Sequence, residues 1–252
     1  MNILLTNDDG IFSEGIYALY LSLSGIGKVS IVAPDSQRSS VGHGITLSHP
    51  IWSEKVKRRN KFFGYGISGT PADCVKFACA VLLKKKPDLI VSGINLGPND
   101  GCSIHYSGTV AGAREGALMG IPSIAISLDT FVNPDYSYAA KFAAKLSKFL
   151  LSTSLTKGTF LNVNVPNLKP SQIKGVKVAE QGLKPIHGTF KKRSDPNLKD
   201  YYWMSGKLPP HKNSLQDDTQ ALHKKYVTVT PIQTDNTDYE LLSDMNNWNI
   251  KK

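Results

Sequence analysis

Short apolar runs alternate with longer amphipathic stretches along the first two thirds of the chain. Asn2–Thr6 and Val29–Ala33 have the continuous apolar texture of buried strands, and a helical pattern starting near Glu14 separates them. Phe62–Ile67 predicts another strand. A helix start follows, with Thr70 as cap, Pro71 at the first turn and Asp73 inside that turn. The series continues with a strand over PDLIVSG, a helix over SGTVAGAREGALMG, a strand over IPSIAISL and a long amphipathic helix over YAAKFAAKLSKFLL. Such alternation predicts an α/β fold: a Rossmann-like three-layer α/β/α domain with a mostly parallel sheet, over residues 1–168.

After FLNVNVP the texture changes to prolines, glycines and lysines, with short strand signals until YVTVTPI. Residues 169–252 read as a smaller carboxyl-terminal extension with β-hairpins, a late strand and a C-terminal helix. Its aromatic cluster Tyr201, Tyr202 and Trp203 suits packing against another subunit, or equally a plug over the chain's own core. The chain contains no internal repeat and no low-complexity segment.

Composition narrows this picture. With 252 residues and 40% hydrophobic content, the chain can fill the core of one large domain. No segment approaches the ~20 apolar residues that cross a bilayer, and the start has no basic leader, so the expectation is a soluble cytoplasmic protein. Cys74, Cys79 and Cys102 lack zinc-finger spacing and are expected to be reduced. The net charge of +10 is unevenly spread: Lys plus Arg against Asp plus Glu is 12 to 11 over residues 1–135 and 18 to 9 over the rest. The excess gathers in KPIHGTFKKRSDPNLK. Charge runs of this kind are usually solvated surface, and specific nucleic-acid binding is not the expectation.

In open parallel sheets, ligands bind beyond the carboxyl ends of the strands. Four segments at those ends are rich in oxygen ligands or glycine: NDDG after the first strand, APDSQRSSVGHG after the second, SGINLGPNDG after DLIV, and YSGTVAG at the next helix start. Asp8 and Asp9 pose an electrostatic problem. Two carboxylates about 4 Å apart repel by roughly 4 kcal/mol at an effective dielectric near 20. The first strand and its turn hold no basic residue, and the nearest by topology is Arg38. A divalent cation neutralises both acids at once, and a bend at Gly10 can turn both toward one point. A hard ion such as magnesium, manganese or calcium takes oxygens, which the Ser39 hydroxyl and the Asn95 amide oxygen offer. No cysteine or histidine lies directly at these strand ends, and His43 and His105 are placed outside the ligand set.

The glycines of GINLGPNDG and YSGTVAGA suit close approach of an anion, and a helix start at Thr109 presents unpaired NH groups to a phosphate. The chain has neither GxxxxGK[ST] nor a GxGxxG after its first strand, which excludes the usual triphosphate loop and dinucleotide site.

The blocks ILLTNDDGI, VAPDSQRSSVGHGITL, GTPADCV, PDLIVSGINLGPN and YSGTVAGAREG together resemble the SurE family of survival-protein nucleotidases. The likeness continues through LNVNVP, RSDP with YYW, and DDTQALHKKYVTVTPI, nearly the whole chain. It implies a Rossmann-like domain, a metal-dependent phosphatase site acting on nucleoside monophosphates, and a carboxyl-terminal arm that forms a homodimer or homotetramer. Carried over, the family's ligands for one divalent cation, Mg2+ or Mn2+, fall on Asp8, Asp9, Ser39 and Asn95, with Asp8 and Asp9 also catalytic. Its phosphate contacts fall on Asn99, Ser107, Gly108 and Thr109. The chain departs from the family at Arg114, commonly apolar, and at Lys225, commonly glycine.

The implied reaction is hydrolysis of 5'- or 3'-nucleotides, with short polyphosphate as a further substrate. The alternative is a non-catalytic nucleic-acid or nucleotide binding module driven by the basic second half. A response-regulator receiver also places an acidic pair after its first strand, but residues 51–63 lack the aspartate it needs after the third.

Overall fold

The computed structural model describes residues 1–153, 155–183, 187–207, 216–245 and 247–248. The chain runs β1 (Asn2–Thr6), α1 (Glu14–Leu23), β2 (Lys28–Pro34), β3 (Ser53–Arg58), β4 (Lys61–Ile67), α2 (Pro71–Phe77), β5 (Leu89–Leu96), α3 (Gly108–Leu118), β6 (Ser123–Asp129), α4 (Ser137–Ser152) and β7 (Thr159–Pro166). The extension adds β8 (Val176–Val178), β9 (His187–Ser194), β10 (Asp200–Lys207), α5 (Asp218–His223), β11 (Val227–Gln233) and α6 (Tyr239–Met245).

A nine-stranded sheet in the order β3-β4-β2-β1-β5-β6-β7-β11-β8 organises the molecule. From β4 to β7 the neighbours are parallel; β3 runs antiparallel to β4, and β11 antiparallel to β7. The two-residue period of β1 sends its side chains into separate cores. Ile3 and Leu5 pack with Ile16 and Leu19 of α1 and Ala139 and Ala143 of α4. Leu4 faces the other way, into a cluster with Val32, Ile90 and Cys74 and Val75 of α2. Val110 and Ala113 of α3 bury Phe160 of β7 on that second face. The three layers anticipated from alternation are therefore present.

The expected start of α2 is seen as a reciprocal cap: Thr70 Oγ1 accepts from Asp73 N at 3.1 Å, and Asp73 Oδ2 accepts from Thr70 N at 2.9 Å. Strand β3 is an addition that the apolar pattern did not predict. Of SEKVKR only Val56 is buried, because β3 is a sheet edge whose charged side chains face solvent and discourage further pairing.

The extension returns β8 and β11 to the main sheet, while β9 and β10 pair only with each other. That hairpin exposes Phe190, Tyr202, Trp203 and Met204. The first three residues of the basic stretch, 184–186, and the terminal 249–252 lie outside the described residues. At the two departures, the Arg114 guanidinium lies 5.8 Å from the Phe160 ring centroid, and Lys225 adopts a left-handed φ of 71°.

Candidate functional site

The acidic pair sits where β1 ends, and the loop after β2, the end of β5 and the start of α3 each make a hydrogen bond to it. Asn7 fixes the turn beyond: its Nδ2 donates to Gly10 O at 3.0 Å and to Ser13 Oγ at 2.7 Å, just before α1. Gly10 takes a φ of 94°, a left-handed turn that an L side chain resists. Asp8 is buried, and its Oδ1 accepts from Thr109 Oγ1 at the start of α3. Gly108 makes this approach possible, since a Cβ there would lie 2.7 Å from Asp8 Cβ. Ser107 caps α3 through an acceptor bond from Val110 N at 3.1 Å. Asp9 turns toward β5, where its Oδ2 accepts from Leu96 N at 3.1 Å.

The other two expected cation ligands flank these contacts. Arg38 N donates to Asp8 O at 2.7 Å, so the residue before Ser39 is tied to the backbone of the pair. Ser39 is exposed and its Oγ accepts from Gln37 Nε2 at 2.9 Å. Asn95 immediately precedes Leu96, at a register shift between β5 and β6 that spans Ser92 to Asn95. Irregularities of this kind re-aim side chains at the ends of strands. Its Nδ2 donates to Gly97 O at 2.7 Å, which leaves Oδ1 as the free acceptor.

The expected phosphate contacts divide. Ser107, Gly108 and Thr109 lie against Asp8, with the Thr109 hydroxyl engaged there. Asn99 is buried over β6 and β7: its Nδ2 donates to Ser127 Oγ at 2.9 Å and its N to Asn164 Oδ1 at 2.7 Å. Its carbonyl accepts from Asn162 Nδ2 at 2.7 Å and Asn164 Nδ2 at 3.1 Å. Farther along the loop, Gly101 N donates to both oxygens of Asp218 at 3.1 Å. The sequence reading named none of Asn162, Asn164 and Asp218. The spacing of the two asparagines in LNVNVP puts both on one strand face, a signal that could have marked them.

Burial pushes the Asp8 carboxyl above its ordinary range, against the hydrogen bond from Thr109. Asp9 is pushed up to about 6, first by burial and then by the charge of Asp8, with the Leu96 NH opposing. No lysine, arginine or histidine forms an ion pair with either acid among the described residues. The Arg38 guanidinium instead reaches Asp35 Oδ1 and Ser68 O, each at 3.4 Å. No three His, Cys, Asp or Glu side chains converge on a metal-binding point among those residues either. The oxygens available to a cation are two carboxylates supplemented by a hydroxyl and an amide, a set suited to a hard ion.

Fold and site together define an α/β protein of Rossmann-like architecture with an oxygen-rich acidic centre at its strand ends. The family described as Survival protein SurE matches residues 3–187. A Chlorobium phaeobacteroides protein named 5'-nucleotidase SurE is 48% identical over 251 residues, covering 100% of this chain and 97% of that protein. A Syntrophobacter fumaroxidans protein of the same name is 44% identical over 250 residues, covering 99% of this chain and 100% of its own length. The crystal structure of the SurE protein from Aquifex aeolicus superposes with a TM-score of 0.86 at 41% identity, covering 98% of each chain. The chain belongs to the SurE family.

Proposed function

We propose that this protein is a metal-dependent 5'-nucleotidase that hydrolyses nucleoside monophosphates to nucleoside and phosphate, using one Mg2+ or Mn2+ held by Asp8, Asp9, Ser39 and Asn95. The observation that carries this reading is the acidic pair itself: two carboxylates raised by burial, Asp9 also by the charge of Asp8, with no ion pair to a cationic side chain among the described residues. A bound dication supplies the missing charge and polarises the phosphoryl oxygens. The protein's own part is positional. Thr109 and Leu96 N orient Asp8 and Asp9, the backbone NH groups of Gly108 and Thr109 also serve the Asp8 carboxyl, and Gly97 O orients the Asn95 amide. Ser107, Gly108 and Thr109 form the proposed phosphate side, while Asn99, bonded to Ser127, Asn162 and Asn164, holds its own loop in place. A non-catalytic nucleic-acid module would leave the buried acids without a purpose.

The hairpin β9–β10 supports assembly as a homodimer or homotetramer. An isolated two-stranded ribbon is marginal in water, and this one carries exposed aromatic residues that a second copy would cover. The cytoplasm is the proposed compartment, where the three free cysteines remain reduced. No helix among the described residues is long and apolar enough to cross a membrane.

Phosphate release from a panel of 5'- and 3'-monophosphates and short polyphosphate, with Mg2+, Mn2+ or chelator, tests the reading. Release that requires the metal and disappears in Asp8→Asn supports it. Release unchanged by chelator, or none with any metal, refutes it.

A further inference from the structure

The segment that brings Ser39 to the site has no helix or strand between β2 and β3, residues 35–52. Ser40 and Gly42 take left-handed φ angles of 59° and 56°, so its path is not self-enforcing. It is held from outside. Gly42 N donates to Tyr106 O at 3.0 Å, and Thr70 Oγ1 donates to Gly44 O at 2.7 Å. Asp73 of α2 accepts from Thr46 N at 3.0 Å and from Thr46 Oγ1 at 2.6 Å.

The remaining anchor is a carboxylate inside α3. Glu115 is only 5% exposed, and its two oxygens meet His43 Nε2 at 2.9 Å and Lys76 Nζ of α2 at 3.0 Å. Burying a carboxylate is costly unless it is paired and hydrogen-bonded. The bond from His43 holds the Glu115 carboxyl below its ordinary range despite that burial. An ionised carboxylate accepts only, so His43 Nε2 carries the proton and donates. Joining α2 to α3 would require Lys76 alone. The second bond, to a residue of the Ser39 loop, has no such explanation.

We infer that Glu115, acting through His43, is a positioning residue that holds the Ser39 loop against the acidic pair. One helix then fixes both halves of the site: Thr109 at the start of α3 holds Asp8, and Glu115, nearly two turns on, holds the loop opposite. The inference rests on the reading of Ser39 as a cation ligand. Glu115 itself touches neither cation nor substrate. Partners that orient ligands in this way typically affect metal affinity by about tenfold to a hundredfold.

The test is Mn2+ binding to the full-length, chelator-stripped protein by calorimetry, with Glu115→Gln, His43→Leu and His43→Gln compared. Glu115→Gln and His43→Leu are expected to weaken binding by about tenfold or more. His43→Gln keeps a donor toward the carboxylate and is expected to stay within about threefold of the parent protein. The double variant Glu115→Gln/His43→Leu should be no weaker than His43→Leu alone, because Gln exchanges a charge-assisted bond from His43 for a neutral one and Leu removes that same bond. Amide hydrogen exchange over residues 39–46 should speed up in the weakened variants. Should Glu115→Gln fail to fold, His43→Leu, at a partly exposed loop position, carries the test alone. A His43→Leu protein that binds Mn2+ like the parent, whatever its melting temperature, overturns the inference and leaves the nucleotidase reading intact. A parent protein that binds no Mn2+ defeats both.

Discussion

Replacing Asp9 by asparagine is expected to stabilise the metal-free protein while abolishing most of the stability it gains from a divalent cation. Without metal, the Asp9 carboxyl stands at about 6, against 3.8 for an unperturbed group. The sign follows from linkage: a carboxyl raised by folding contributes stability fully present below its unfolded value, and that stability is lost as pH rises through the folded one. A shift of about two units corresponds to ~3 kcal/mol at most. Asp9 is only partly buried and solvent screens it, so the expected loss by pH 8 is about 1–2 kcal/mol. Asparagine has no proton to lose, and its amide oxygen can still accept from Leu96 N. Urea denaturation in chelator should therefore show little difference between the two proteins below about pH 3.8, a gap opening from there to about pH 6, and the variant more stable by a constant margin up to pH 8. With Mn2+ at a hundredfold excess over its dissociation constant, the parent should gain about 2.7 kcal/mol and the variant much less. A variant less stable than the parent in chelator at pH 8, or a gap that does not change with pH, would refute the electrostatic account of the pair.

Four other variants probe separate parts of the structure. Gly108→Ala places a Cβ 2.7 Å from Asp8 Cβ and 3.0 Å from its Oδ2, so it should cost at least about 2 kcal/mol and weaken Mn2+ binding, as denaturation and calorimetry would show. Gly120→Ala is the control: with φ at 69° and nothing within 4 Å, it should cost only about 1 kcal/mol of backbone strain and leave metal affinity alone. Lys225→Gly relieves a left-handed residue and should raise stability by about 0.5–1 kcal/mol, readable as a higher urea midpoint. Trp203→Ser together with Tyr202→Ser on β10 should lower the assembly state by light scattering while near-ultraviolet circular dichroism of the main domain stays native-like; an unchanged mass would remove the hairpin from the proposed interface.

What could be read from the sequence, and what could not, divides along the range of the interactions. Strands β1, β2 and β5–β7 announce themselves because both faces are covered and their apolar runs are nearly continuous. The cap at Thr70 is equally legible, being complete within four residues. β3 is hidden because an edge strand is selected for charge on its exposed positions, which erases the alternation that marks a strand. The acidic pair is legible for an electrostatic reason, since adjacent carboxylates at a strand end demand a compensating charge whatever the fold.

The supporting groups follow a different logic. Glu115 looks like one more charge on a helix surface, and Asp218 like the first residue of a short helix, until the sheet brings them against loops 72 and 117 residues away in sequence. Asn162 and Asn164 read as the polar face of a strand, yet that face is closed over by the Asn99 loop, whose backbone they hold. In each case an apolar position on a regular element has been given to a polar side chain, at a desolvation cost repaid only by fixing an irregular loop. The same exchange explains the division of labour in the molecule. Irregular loops carry the groups proposed to face a ligand, and buried acids and amides on α3, α5 and β7 hold those loops in place. A substitution at one of these buried positions should therefore loosen its loop before it disturbs the sheet.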